Sequence, residues 1–448
     1  MLASALCVAA FALCLIEGRK ALWRGVAAVM VVGYAYGIVR ANVPETMAHF
    51  IFDAGAVGLY LAMLLRPLKR MQRLRLRPLM PWLICLIAWP MLLFVIPIQD
   101  PLVQLVGLRG AIFFLPFILL GAMLENKDWY RLAWVFAGLN LVAFVFALAE
   151  AHFGLTLFYP RNAVTQLIYR SRDVRVGEHS LFRIPAVFTQ SAAYAGVMVG
   201  TVPILVAMLH LQRRKRWPRN VFLGSLAIAA IGVFLAASRT EAIFLIMLVC
   251  IATLSGRIRT LPWAGWMAVF GVVALLVATV PRLQRVTTLD NSKYVKTRVE
   301  GSVNESFLTL MFEYPMGNGL GGGGTSMPYF LKGRLRNPVQ IENEYGLIML
   351  EEGIPGLLLW IAFLIWVITR PAPRKSEQWY IARWLARFLC LAVFVTAVLG
   401  TGLLTAIPGT GILLMYCGWL AAPQPMPVAA TITRYRGYAY GAAAELHA

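Results

Sequence analysis

VQLVGLRGAIFFLPFILLGAML, residues 103–124, is an unbroken apolar run with a single charge, Arg109. As a helix it rises about 33 Å, enough to cross a hydrocarbon core of roughly 30 Å. Strands of a membrane barrel would read as short alternating segments instead. Outward from it, Leu79 to Ile98 reads the same way, and further runs lie at roughly 2–16, 21–38, 50–65, 130–149, 187–211, 221–236, 240–254, 262–280, 344–369, 384–402 and 403–421. In lipid only helices satisfy every backbone polar group over such lengths. The predicted fold is therefore all-α, a polytopic helical integral membrane protein of about thirteen transmembrane helices with a large outer-face loop. Of the 448 residues, 60% are hydrophobic and 14% charged, which lies outside the range of soluble domains.

Basic clusters set the orientation. Arg66, Lys69, Arg70, Arg73, Arg75 and Arg77 form one, Arg213, Arg214, Lys215, Arg216 and Arg219 another, and Arg257/Arg259 and Arg370/Arg374/Lys375 two weaker ones. All fall on one side, the cytoplasm, because short cytoplasmic loops hold the excess of Lys and Arg. The N-terminus is then outside and the C-terminus inside. The predicted order is N-terminal helices over 1–149, a first outer loop 150–186, central helices 187–280, a large outer loop 281–343, C-terminal helices 344–422 and a disordered cytoplasmic tail 423–448. Met1 to Ile16 lacks the basic start of a signal peptide and reads as a first span. The net charge of +21 is an orientation signal, since the basic loops lack interleaved aromatic platforms for nucleic acid. The six cysteines lie in apolar segments without paired metal-ligand spacing, so neither a zinc site nor a disulfide framework is expected.

The outer loop 281–343 is itself basic, with Arg282, Arg285, Lys293, Lys296, Arg298, Lys332, Arg334 and Arg336, against the usual charge rule. An anionic lipid-linked or phosphorylated substrate at the outer face would account for it. The loop runs through Gly317, Gly319 and Gly321 to Gly324, which reads either as a flexible lid or as a nest of amides for an anion. It ends by feeding Glu342-Asn343-Glu344-Tyr345 into an apolar helix that carries Glu351 two turns further in, so Glu344 and Glu351 share a face. A carboxylate there, with Glu342 foremost and His179 in competition, can take a proton from an acceptor hydroxyl; Glu344 and Glu351 can equally pair with Arg109 or Arg239. Arg239 sits in a very short turn, where it can snorkel, pair with Glu241 or grip two phosphate oxygens. Arg183 is placed similarly before the span at Val187, and Arg109 lies within a span, where charge is costly and needs a partner or a function.

Four segments, Leu108-Arg109-Gly110, Phe182-Arg183-Ile184-Pro185-Ala186-Val187-Phe188, Ala237-Ser238-Arg239, and Tyr314-Pro315-Met316-Gly317-Asn318-Gly319-Leu320-Gly321 followed by Asn343 to Gly356, resemble in kind and order the O-antigen ligase / O-antigen polymerase superfamily of bacterial envelope glycosyltransferases. The resemblance implies a helical bundle in the inner membrane, working without metal or cofactor on an undecaprenyl-diphosphate-linked glycan donor. A glycan acceptor hydroxyl attacks the donor sugar, other polysaccharide assembly proteins are possible partners, and nucleic acid is not one. Arg109, Arg183 and Arg239 would hold the diphosphate, Gly317, Gly319 and Gly321 would form a substrate loop, Glu342, Asn343 and Glu344 would be catalytic, and Tyr345 and Glu351 would support them. The outer loops carry no Asp-x-Asp element for a metal-nucleotide donor. Ligases often have histidine where this chain has Glu342, which points to a repeat-unit polymerase, with a ligase joining glycan to lipid A-core or protein as the alternative. A glycolipid flippase is the rival of another class; it would place ionisable groups at the midplane.

Overall fold

Residues 1–170, 173–176, 179–254, 307–323, 328–337, 339, 341, 343–374, 377–400 and 402–423 are described by the computed structural model. The expected span at 262–280, Glu342, the side chain of His179, most of the basic residues of loop 281–343, and the expected tail from 424 onward lie outside the described residues.

The first two helices, α1 (Leu2–Lys20) and α2 (Leu22–Asn42), are parted by Ala21 alone, whose extended backbone breaks the helical path. A 3-10 turn leads into α3 (Ile51–Leu64), which packs along α1. Next, α4 (Arg70–Leu76) and α5 (Met80–Phe94) form a pair bent by 56°. The stretch read above as one span comprises α6 (Pro101–Ile112) and α7 (Pro116–Met123), which together make one membrane-length apolar span over Pro101–Met123, with a short turn where Pro116 has no amide hydrogen to continue the ladder. α8 (Asn126–Phe153) follows. The segment after it holds a short α9 (Gln166–Arg170) and two strands, β1 (Asp173–Val176) and β2 (His179–Phe182), paired antiparallel with Asp173 opposite Phe182 and Val176 opposite His179. This short hairpin lies within the expected loop 150–186, where a polar segment outside the apolar runs is free to pair its backbone with itself. α10 (Ser191–Leu211), α11 (Arg216–Leu235) and α12 (Arg239–Leu254) come next, then α13 (Phe307–Glu313), α14 (Glu344–Ile368), α15 (Tyr380–Thr396) and α16 (Gly409–Ala421).

Among the described residues eight helices are long and apolar enough to cross a membrane, nine if the bent pair is one span. The chain is a helical, membrane-embedded protein. α10 is buried along nearly its whole length and touches α8, α11, α12, α15 and α16. Within lipid, apolar surface gives helices no reason to associate, so packing comes from close backbone approach and internal hydrogen bonds. The crossing of α7 and α16 shows the first: a Cβ on Gly121 would stand 1.9 Å from the Met415 carbonyl oxygen, and one on Gly418 1.8 Å from that of Ile118. Trp129 stacks on Trp419 beside it, centroids 4.3 Å apart. The second appears where Tyr34 donates to Asn140 Oδ1 at 2.8 Å and Asn140 donates to Thr201 Oγ1 at 2.8 Å, joining α2, α8 and α10.

The bundle has two chemically distinct ends. At the long-loop end Asn42 donates to the Phe158 carbonyl and Asn162 to that of Ala41, at 2.8 Å each, fastening α2 to the segment after α8. At the basic end Lys69 and Lys127 both pair with Glu125 at 2.9 Å, and the buried Arg383 donates to the Trp419 and Leu420 carbonyls, closing the C-terminus of α16.

Candidate functional site

Two arginines reach one cavity from two unusual turns. Arg183 leaves β2 and precedes a turn in which Ala186 is left-handed (φ 52°); Arg239 opens α12 after Ala237, also left-handed (φ 50°). Such a conformation costs an alanine on the order of 1 kcal/mol, so neighbours must hold it. At Ala186 they are visible: its amide donates to the Glu150 carboxylate at 3.0 Å, and the Tyr159 hydroxyl lies 2.6 Å from the Ala186 carbonyl and 2.8 Å from that of Phe188. Glu150 at the end of α8 and Tyr159 beyond it therefore fix the path of the chain just after Arg183.

The cavity has a volume of about 610 Å³ and lies between α10, α12, α15 and α16. Arg183, Gln190, Ser238, Arg239, Thr240 and Glu241 give it a polar side; Phe244, Leu389, Val393, Ile412, Leu413 and Tyr416 give it an apolar one. Burial first, and then the charge of Arg239, hold the Arg183 guanidinium below its ordinary value. A guanidinium carries a fixed fork of donors that matches phosphate oxygens, so two of them on one wall give the cavity a site suited to an anion.

The junction of loop and α14 forms the far side of this wall. Asn343 is the N-cap of α14, its Oδ1 accepting from the Gly346 amide. Glu344 is fully buried, and its carboxylate accepts from the amides of Gly402 at 2.7 Å, Leu403 at 3.2 Å and Leu404 at 3.1 Å, while its own amide donates to the Gly400 carbonyl at 3.1 Å. Gly400, Gly402 and Leu403 line the cavity, so Glu344 shapes that surface from behind. Tyr345 donates to the Phe394 carbonyl at 2.7 Å, tying α14 to α15 next to Val393 of the lining.

The glycine segment takes a different place. Gly353 in α14 has φ 71° and ψ −173°, which breaks the helix, and Pro355 follows with no amide hydrogen. Loop 315–323 enters this break. Ile354 donates to the Pro315 carbonyl at 2.9 Å, Asn318 donates to that of Leu350 at 2.6 Å, and Trp89 donates to that of Glu352 at 2.9 Å, so groups freed by the kink find new partners. The Glu351 carboxylate accepts from the Gly323 amide at 3.3 Å. Gly317 and Gly319 are left-handed, and Gly321 packs its backbone on Gly107 of α6. The Gly323 amide, one of those that could have formed an anion nest, thus turns to Glu351, and none of Gly317, Gly319, Gly321 or Glu351 lines the cavity.

Arg109 is likewise elsewhere: Asp53 of α3 grips its guanidinium through two contacts at 2.5 and 2.6 Å, and Phe113 lies under it. Of the three arginines anticipated at one anion site, Arg183 and Arg239 come together and Arg109 joins Asp53. Glu150, Tyr159 and Asp53 were absent from the sequence reading; the one available signal was that Glu150 and Asp53 are carboxylates within apolar runs. No group of three or more His, Cys, Asp or Glu among the described residues is placed to hold a metal ion.

Fold and site together define a helical membrane protein with a largely apolar cavity that two arginines line on its polar side. No protein-family model matches the chain, and no curated protein matches it.

Proposed function

We propose that this chain is a metal-independent membrane glycosyltransferase whose donor is a glycan carried on undecaprenyl diphosphate, and that it lengthens polysaccharide repeat units at the outer face of the bacterial inner membrane. In this reading the chain passes the membrane thirteen times, the shorter α12, α15 and α16, the bent α4–α5 pair and residues 262–280 adding to the eight long helices. The basic end then lies in the cytoplasm and the long-loop end outside.

The observation that carries the proposal is the pairing of Arg183 and Arg239 on one cavity whose remaining wall is largely apolar. A lipid diphosphate has the matching composition, two phosphates beside an isoprenoid chain. An acceptor hydroxyl attacks the anomeric carbon, the bond from that carbon to the diphosphate oxygen breaks, and the leaving diphosphate gathers charge. Preorganised guanidinium groups in a dry site stabilise that charge most strongly where it develops.

The test uses purified protein in nanodiscs with lipid-diphosphate-linked repeat units. Chain lengthening is expected. Arg239→Lys should lower kcat/KM by about 100-fold or more, because a point charge does not replace a bidentate fork. Transfer only to a different acceptor would make the protein a ligase, and no transfer at all would overturn the proposal.

A further inference from the structure

A glycosyl transfer of this kind needs a group to receive the proton of the attacking hydroxyl, and the described carboxylates near the cavity differ in whether they are free to do so. Glu344 is engaged by three amides, Glu351 by the glycine loop and Glu150 by the Ala186 amide. Glu241 is different: it lines the cavity, and no described residue makes a hydrogen bond or ion pair with its carboxylate. It stands in the first turn of α12, two positions after Arg239, so the two side chains leave the helix in well-separated directions and border different parts of the same space. Across from it is Gly196 of α10, where a Cβ would stand 3.5 Å from Glu241 Oε1, so the carboxylate lies beside a stretch of α10 that carries no side chain. Gly200, one turn on, extends that smooth face along the cavity.

We propose that Glu241 is the catalytic residue that accepts the acceptor's proton, an assignment that rests on the glycosyltransferase reading. The acceptor oxygen bonds to the anomeric carbon while its proton passes to a Glu241 carboxylate oxygen. The bond from the anomeric carbon to the diphosphate breaks, and its electron pair leaves with the lipid diphosphate, held by Arg183 and Arg239. One proton and one glycosyl group move, and no oxidant or further reactant is needed.

The experiment compares the full-length protein with Glu241→Gln and Glu241→Ala in nanodiscs, using the same lipid-linked substrate. Glu241→Gln is expected to lower kcat by about 10²–10⁴-fold with the donor KM and the thermal midpoint unchanged. In Glu241→Ala, added formate is expected to restore at least about tenfold of the lost rate by supplying a carboxylate to the vacated space. Turnover of Glu241→Gln within threefold of the unchanged protein, a rise in KM alone, or a Glu241→Ala enzyme indifferent to formate would each remove the assignment while leaving the transferase reading intact. Should Glu241→Gln fail to fold, formate rescue of Glu241→Ala decides. An unchanged protein that transfers nothing overturns both.

Discussion

Arg183 and Arg239 face each other's charge across a wall of the cavity, and the left-handed alanines beside them show that the backbone is held in place against its preference. Both arginines were readable because charge at the end of an apolar run demands an explanation. What surrounds the candidate carboxylates was not. Glu344 stands where an acid beside Asn343 suggests proton transfer, yet three amides from a segment some sixty positions later close around it, and backbone donors leave no mark in a sequence. Replacing it strands those amides. Glu344→Ala should therefore destabilise the protein by about 2–3 kcal/mol, since each buried group left without a partner costs about 1–3 kcal/mol. Thermal unfolding in detergent measures this, and a midpoint unchanged from the parent would contradict the role of Glu344 in holding the 402–404 segment.

Among the helices, α14 depends most on its neighbours. The motif Glu351-Glu352-Gly353-Ile354-Pro355-Gly356 announces a weak point, because glycine and proline both interrupt a helical ladder, and a kink there was legible in principle. Its filling by loop 315–323 was not, since the loop's glycines carry no side chains whose chemistry could name a partner. Gly353→Ala tests the arrangement: the new Cβ would lie 2.6 Å from the Met316 carbonyl carbon at a backbone angle that alanine resists. A loss of at least about 2 kcal/mol is expected, with faster proteolysis of loop 315–323. Unaltered stability and cleavage would mean that the loop does not depend on the kink. Elsewhere local chemistry placed a turn inside a single span, as at Pro116 between α6 and α7.

Across the bundle, the separation of basic and long-loop ends carries an orientation that labelling can test. In a cysteine-free background, Thr156→Cys at the long-loop end should react with a membrane-impermeant maleimide on intact cells, and Arg214→Cys at the basic end only after permeabilisation. The reverse pattern would invert the topology and remove the outer-face proposal. Membrane residence and helical class followed from the sequence alone, because the cost of burying unpaired backbone groups in hydrocarbon acts on every residue of an apolar run and needs no knowledge of its neighbours. The positions of Arg183 and Arg239 at span ends were legible for the same reason. That these two share a cavity, that Arg109 turns instead to Asp53, and that Glu241 lines the same cavity depended on three-dimensional packing. Hydrogen bonds and ion pairs act over about 3 Å in space, and linear order does not record which distant groups are brought that close.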